Sequence, residues 1–258
     1  MRGEIARKWI GLLALAAATA VPALGQMPGM SGKPGTSDAA AHADMRWAST
    51  LFVLFDQLEY SVAGDGKPVN VDVRSWYGGA HRRLWFRAQS DFATERNEGE
   101  AEAQLMYGRL VRPFWDAVAG VRVDQHWGDR HRRRPQLVVG LVGLAPYRFE
   151  VEPSLFVSDR GDVSARFEAS YQVLITQRLI AEPELEVNAA LQAVPEFDIV
   201  SGINDYEVGL RLRYEFRREV APYVGWSRSR RTTGSSGSIF GRGAVAESRF
   251  VAGLRLWW

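Results

Sequence analysis

Between Asp205 and Phe216 the sequence alternates without a break. Tyr206, Val208, Leu210, Leu212, Tyr214 and Phe216 share one face of an extended chain, and Asp205, Glu207, Gly209, Arg211, Arg213 and Glu215 share the other. A helix would mix these sets, whereas a strand separates them. Residues 179–191 repeat the pattern, with Leu179, Ala181, Pro183, Leu185, Val187, Ala189 and Leu191 opposite Glu182, Glu184, Glu186 and Asn188. Residues 163–175 do so again. Followed along the chain, the period predicts twelve strands near 51–63, 69–78, 83–93, 100–110, 114–126, 135–145, 147–158, 163–175, 179–191, 205–217, 220–230 and 247–258. Most run about ten residues, longer than the five or six usual in globular sheets. That length suits a tilted strand crossing a bilayer.

The connections support the same architecture. Val111-Arg112-Pro113, Ala145-Pro146, Thr176-Gln177-Arg178 and Arg218-Glu219 read as tight turns, while 192–204 and 231–246 read as longer loops. Short turns at one rim and longer loops at the other describe an outer-membrane barrel with both chain ends on the periplasmic side. Phe250, Ala252, Leu254, Leu256 and Trp258 bring the alternation to a terminal aromatic. Trp115, Tyr147, Tyr171, Tyr214, Tyr223 and Trp226 lie near strand ends, where interfacial girdles form. No stretch beyond the N-terminus holds 18 consecutive apolar residues, so helical spans are not expected. The predicted fold class is all-β: a transmembrane outer-membrane β-barrel of about twelve antiparallel strands. A soluble β-sandwich is the alternative, in which the charged rows would be solvated faces.

In a barrel with apolar rows toward lipid, the charged rows line the lumen. They include Glu59, Arg74, Arg87, Asp91, Glu102, Arg122, Asp124, Arg148, Glu150, Glu152, Arg166, Glu168, Glu207, Arg211, Arg213, Glu215 and Arg255. Acids and bases on neighbouring strands predict a cross-strand ion-pair ladder. Glu182, Glu184 and Glu186 form the densest acidic row and are the inward candidates for a cation.

The N-terminus reads as a secretory signal peptide over 1–25. Arg2, Arg7 and Lys8 precede an apolar run from Trp9, and Ala23-Leu24-Gly25 supplies small residues before a cut at Gln26. Without that segment the chain carries 29 basic and 29 acidic side chains, which removes the charge argument for a nucleic-acid partner. Residues 26–50 read as a flexible periplasmic linker rich in Gly, Pro, Ser and Ala, followed by the barrel at 51–258. The linker holds Met27, Met30, His42 and Met45, the only soft ligands close together in sequence. Thioethers favour Cu(I), and imidazole accepts either copper state.

The chain has no cysteine, which excludes thiolate metal sites and thiol nucleophiles. Its four histidines, His42, His81, His126 and His131, show neither His-x-x-His nor His-Glu-x-x-His spacing. No catalytic Ser-His-acid set is legible, so an enzyme is not expected. The basic run Arg130-His131-Arg132-Arg133-Arg134 is expected to touch anionic lipid headgroups.

Six segments taken in order carry a family resemblance. They are Asp56-Gln57-Leu58-Glu59; Trp115-Asp116 with Gly120-Val121-Arg122-Val123-Asp124; Gly143-Leu144-Ala145-Pro146-Tyr147; Glu168, Tyr171 and Ile175-Thr176-Gln177-Arg178-Leu179; Gly209-Leu210-Arg211-Leu212-Arg213-Tyr214-Glu215; and Ala221-Pro222-Tyr223-Val224-Gly225. Together they resemble the copper resistance protein B family of Gram-negative outer membranes, over about 51–258. The resemblance implies an outer-membrane protein of copper homeostasis, binding or exporting copper with periplasmic copper-resistance partners. Family members often carry a long N-terminal region rich in Met, His and Asp, reduced here to Met27, Met30, His42, Asp44 and Met45. That reduction favours export or an accessory role over storage. The alternative expectation is a general small-solute channel with no copper site of its own.

Overall fold

The computed structural model describes residues 49–63, 68–93, 98–128, 131–232 and 244–258, all within the compact unit His42–Trp258. The signal sequence read at 1–25 and nearly all of the 26–50 linker lie outside the described residues. The strands are β1 (Thr50–Ala63), β2 (Pro68–Gly78), β3 (Arg82–Ala93), β4 (Glu98–Arg112), β5 (Trp115–Trp127), β6 (Arg132–Ala145), β7 (Phe149–Ser158), β8 (Val163–Ser170), β9 (Val173–Leu174), β10 (Leu179–Ala190), β11 (Gly202–Tyr214), β12 (Val220–Thr232) and β13 (Ala244–Trp257). Each pairs antiparallel with its neighbours, and the ring closes where β1 meets β13. The β8 and β9 segments share the partner β10 and form one stave, so the barrel has twelve staves. No described helix is long and apolar enough to cross a membrane.

The strand predicted at 163–175 is broken after Ser170, and Pro183 explains the break. It sits on β10 opposite the gap, where Tyr171 donates its N–H to the Pro183 carbonyl at 3.1 Å. Proline has no N–H to return, so the ladder is interrupted until Val173.

Trp258 continues the ladder beyond β13. Val53 N–H reaches the Trp258 carbonyl at 3.0 Å, and Trp258 N–H reaches the Val53 carbonyl at 3.1 Å. Its ring stacks on Phe55 at 5.7 Å between centroids.

The turns at 79–81, 113–114, 146–148, 175–178 and 215–219 lie at one end of the barrel, here the short-turn rim. The turn at 159–162 and the loop at 191–201 lie at the other, the long-loop rim. Leu137, Val139 and Leu155 are more than half exposed, whereas Met106, Val118, Val138 and Phe156 are at most 2% exposed. Odd positions of β6 and β7 therefore face lipid and even positions face inward, as a period-two strand demands.

Two placements differ from expectation. Arg148 is exposed in the 3₁₀ turn Pro146–Arg148 rather than in the lumen, because the chain leaves the sheet there with Tyr147 and Arg148 at positive φ. Tyr223 is 5% exposed and points inward instead of joining a girdle. Gly253 makes room for it: a Cβ there would lie 2.5 Å from the Tyr223 ring.

Candidate functional site

The barrel interior has two unlike halves. A cavity of about 1220 Å³ runs inward from the long-loop rim. Seventeen carboxylate and nine arginine side chains line it, so the wall is acid-rich. On the wall formed by β3–β7, Met106, Val118, Val138 and Phe156 pack into an apolar cluster with Trp85 and Val142. Separately, near the short-turn rim, Phe52, Trp76 and Trp257 form an aromatic group on β1, β2 and β13, with centroids 6.0 and 6.2 Å apart. The cavity lining includes Phe156 but stops short of Met106, Val118 and Val138. The charged rows were expected along the lumen; apolar side chains interrupt them on the β3–β7 wall.

A layer of charge runs around the cavity wall, and its register corrects the expected ladder. Glu152 is opposite Glu168, Glu168 opposite Glu186, and Glu186 opposite Glu207. Four carboxylates thus run sideways across β7, β8, β10 and β11. On the facing wall Arg74 is opposite Arg87, and Gln104 separates Arg87 from Arg122. Like charges directly opposite destabilise a sheet. The compensation comes across the lumen. Arg74 lies 3.5 Å from Glu152 and 3.7 Å from Glu168, and Arg87 also pairs with Glu152. Arg166 holds Glu102 at 2.9 Å, and Arg122 holds it at 2.7 Å. Arg122 and Arg166 also lie over the Phe156 ring, at 4.2 and 5.8 Å, tying the charged layer to the apolar one.

The three acidic candidates on β10 all face this interior, and each is already engaged. Glu182 accepts from Arg213 at 2.5 Å and from Arg255 at 3.2 Å. Glu184 is paired with Arg211 and accepts from Gln57 at 3.3 Å. Glu186 accepts from Asn188 at 2.7 Å and lies 3.4 Å from Arg166. Arg211 also binds Glu59 at 2.5 Å, which carries the pairing from β11 to β1. A carboxylate already held by guanidinium is a poorer ligand for a cation. Among the described residues no group of three or more His, Asp or Glu side chains is arranged to hold a metal ion. Met27, Met30, His42 and Met45 lie outside the described residues. The one methionine within them, Met106, is buried in the apolar cluster.

The loop 191–201 folds over the long-loop mouth, a feature its sequence did not signal. Val194 and Ile199 exchange backbone hydrogen bonds at 2.8 and 3.2 Å. The intervening turn Pro195–Phe197 is held from outside: the Glu196 carboxylate pairs with Arg160, and its carbonyl accepts from Arg132. The hydrogen bond that Arg160 donates to the Glu196 carboxylate raises the pKa of Arg160 above its ordinary value. Phe197 lies under Arg134 at 5.5 Å and meets the His126 ring edge-on at 5.9 Å. Arg132 and Arg134 thus serve this loop, rather than the lipid headgroups expected of the basic run. Arg130 lies outside the described residues.

Comparison with known proteins settles the family. A model of the copper resistance protein B precursor (CopB) matches residues 49–258, the whole described barrel. The chain belongs to the copper resistance protein B family. It is 39% identical to copper resistance protein B of Escherichia coli, the alignment covering 87% of this chain and 75% of that protein. It is 38% identical to a copper resistance protein B homolog of Pseudomonas syringae pv. tomato, covering 81% and 70%. Among solved structures, the NanC porin superposes with a TM-score of 0.51 at 13% identity, over 80% of this chain and 99% of that one. That likeness concerns the fold alone. With this family and this fold, the chain is an outer-membrane barrel.

Proposed function

We propose that this barrel contributes to copper resistance at the outer membrane by binding copper transiently and handing it on. The single observation that carries the reading is the family match over residues 49–258. In this reading the short-turn rim and the N-terminus face the periplasm, as in barrels with short periplasmic turns. Met27, Met30, His42 and Met45 take the ion, as Cu(I), in exchange with periplasmic copper-resistance partners. A segment that orders only on binding loses affinity to ordering entropy, which suits hand-over. The acid-rich cavity favours cations over anions at the other mouth. No covalent chemistry is involved.

The test uses the full chain in cells that depend on it for copper tolerance, together with the purified protein in detergent. Replacing Met27, Met30 and Met45 with leucine keeps the apolar bulk and removes the sulfurs. Tolerance and Cu(I) affinity should both fall, while the heat-resistant folded band on a gel stays. Unchanged tolerance with unchanged Cu(I) affinity would remove the tail from the mechanism.

A further inference from the structure

The lipid-facing side of the β3–β4 pair is a column of register partners. From mid-barrel toward the short-turn rim these are Ala88 with Ala103, Phe86 with Leu105, Leu84 with Tyr107, and finally Arg82 with Arg109. Phe86, Leu105, Leu84 and Tyr107 are 37–51% exposed, the profile of a wall that meets hydrocarbon. Tyr77 on β2 stands opposite Leu84, so an aromatic row marks where the apolar band ends.

One step beyond that row, two arginines stand directly opposite each other. Both are exposed, and neither has an ion-pair partner among the described residues. Side chains so placed start about 5 Å apart and repel unless a shared anion lies between them. Among the described residues no free carboxylate stands nearby. Asp116 is turned inward and held by Arg83 at 2.7 Å. Arg112, also exposed, adds a third positive charge at the end of β4. The turn before β3 is fastened to the same place, since Leu110 N–H donates to the His81 carbonyl at 3.0 Å. The interior shows the contrast, because there the opposed Arg74 and Arg87 share Glu152.

We infer that Arg82 and Arg109 form a clamp for the phosphate of a membrane lipid headgroup in the leaflet at the short-turn rim. This assignment is independent of the copper reading. A guanidinium presents a planar fork that matches phosphate oxygens, and two forks on adjacent strands can share one phosphate. The column supplies the rest of the lipid's environment. With the phosphate between the guanidiniums, acyl chains lie along Leu84, Phe86, Leu105 and Tyr107. That continuity selects a lipid over free phosphate.

The test is native mass spectrometry of the full barrel from a non-ionic detergent doped with phosphatidylglycerol. The wild type should retain bound phosphatidylglycerol. The double variant Arg82→Gln/Arg109→Gln should retain about tenfold less, as expected for loss of a charge-assisted hydrogen bond. Arg82→Lys/Arg109→Lys keeps the charge and loses the forks, so its retention should fall in between. The exposed rim arginines Arg178 and Arg218, changed together to glutamine, should leave retention unchanged. In lipid-free detergent Arg109→Gln should melt no lower than wild type, since it removes a repulsion. Equal retention in wild type and the double glutamine variant would overturn the clamp. So would equal losses from the Arg178/Arg218 control, or displacement of the lipid by inorganic phosphate at millimolar concentration.

Discussion

The two halves of the barrel interior are built on the same strands, yet they solve different problems. On β4, Glu100 and Glu102 belong to the cavity, and Met106 on the same face belongs to the apolar cluster. On β7, Phe156 sits where the two regimes meet, with apolar neighbours on one side and Arg122 and Arg166 over its ring. The polar half is held by charge across the lumen, where losing one partner strands another. The apolar half is held by packing, where losing a side chain leaves a hole. Charge specifies which walls may approach, and packing fills one stretch of the wall.

Arg211 offers the hardest way to break the polar half. Arg211→Gln strands Glu59, which is 6% exposed, together with Glu184. Removing one partner of a buried pair costs about 3–5 kcal/mol. The urea midpoint of the folded barrel in lipid vesicles should drop accordingly, and an unchanged midpoint would show that the pairs are exchangeable.

Met106→Ala tests the apolar half and should cost about 3 kcal/mol through cavity formation. It should also raise ion conductance in a planar bilayer above the wild-type level. Stability lost without any gain in current would mean that another layer closes the lumen. Glu184→Gln sharpens the contrast from the other side. Arg211 keeps Glu59, so the cost should be on the order of 1 kcal/mol, and the heat-resistant band should survive. The smallest effect belongs to the mouth. Arg160 and Glu196 are both exposed, so Arg160→Ala should leave the melting temperature unchanged while loop 191–201 becomes more accessible to protease.

The sequence reveals the barrel because most strands contrast their two faces. Glu182-x-Glu184-x-Glu186 against Leu185 and Val187 leaves one reading of which face is wet. The apolar layer was hidden where that contrast fails. Residues 137–145, Leu-Val-Val-Gly-Leu-Val-Gly-Leu-Ala, are apolar at both parities. Period two then says that the chain is extended without saying that both faces are dry. Lateral neighbours were equally hidden. Opposing Glu152 to Glu168 requires the register, which the sequence does not print, and the partners that neutralise them come from β2 and β3. Loop 191–201 carries no period at all, and its fold depends on Arg132 and Arg134 from β6 and on Arg160 from the 159–162 turn.

The seam between Val53 and Trp258 has a consequence for how the molecule comes into being. The first described strand pairs with the last, so β1 has a free edge until every other stave has been made. A chain arrested anywhere short of β13 is an open sheet with two unsatisfied edges, which neither lipid nor water accepts as a resting state. Assembly of this ring is therefore all-or-none with respect to chain length. The partner that β1 needs is made after every other described stave, so β1 must be kept from pairing wrongly for the whole time that those staves take to arrive.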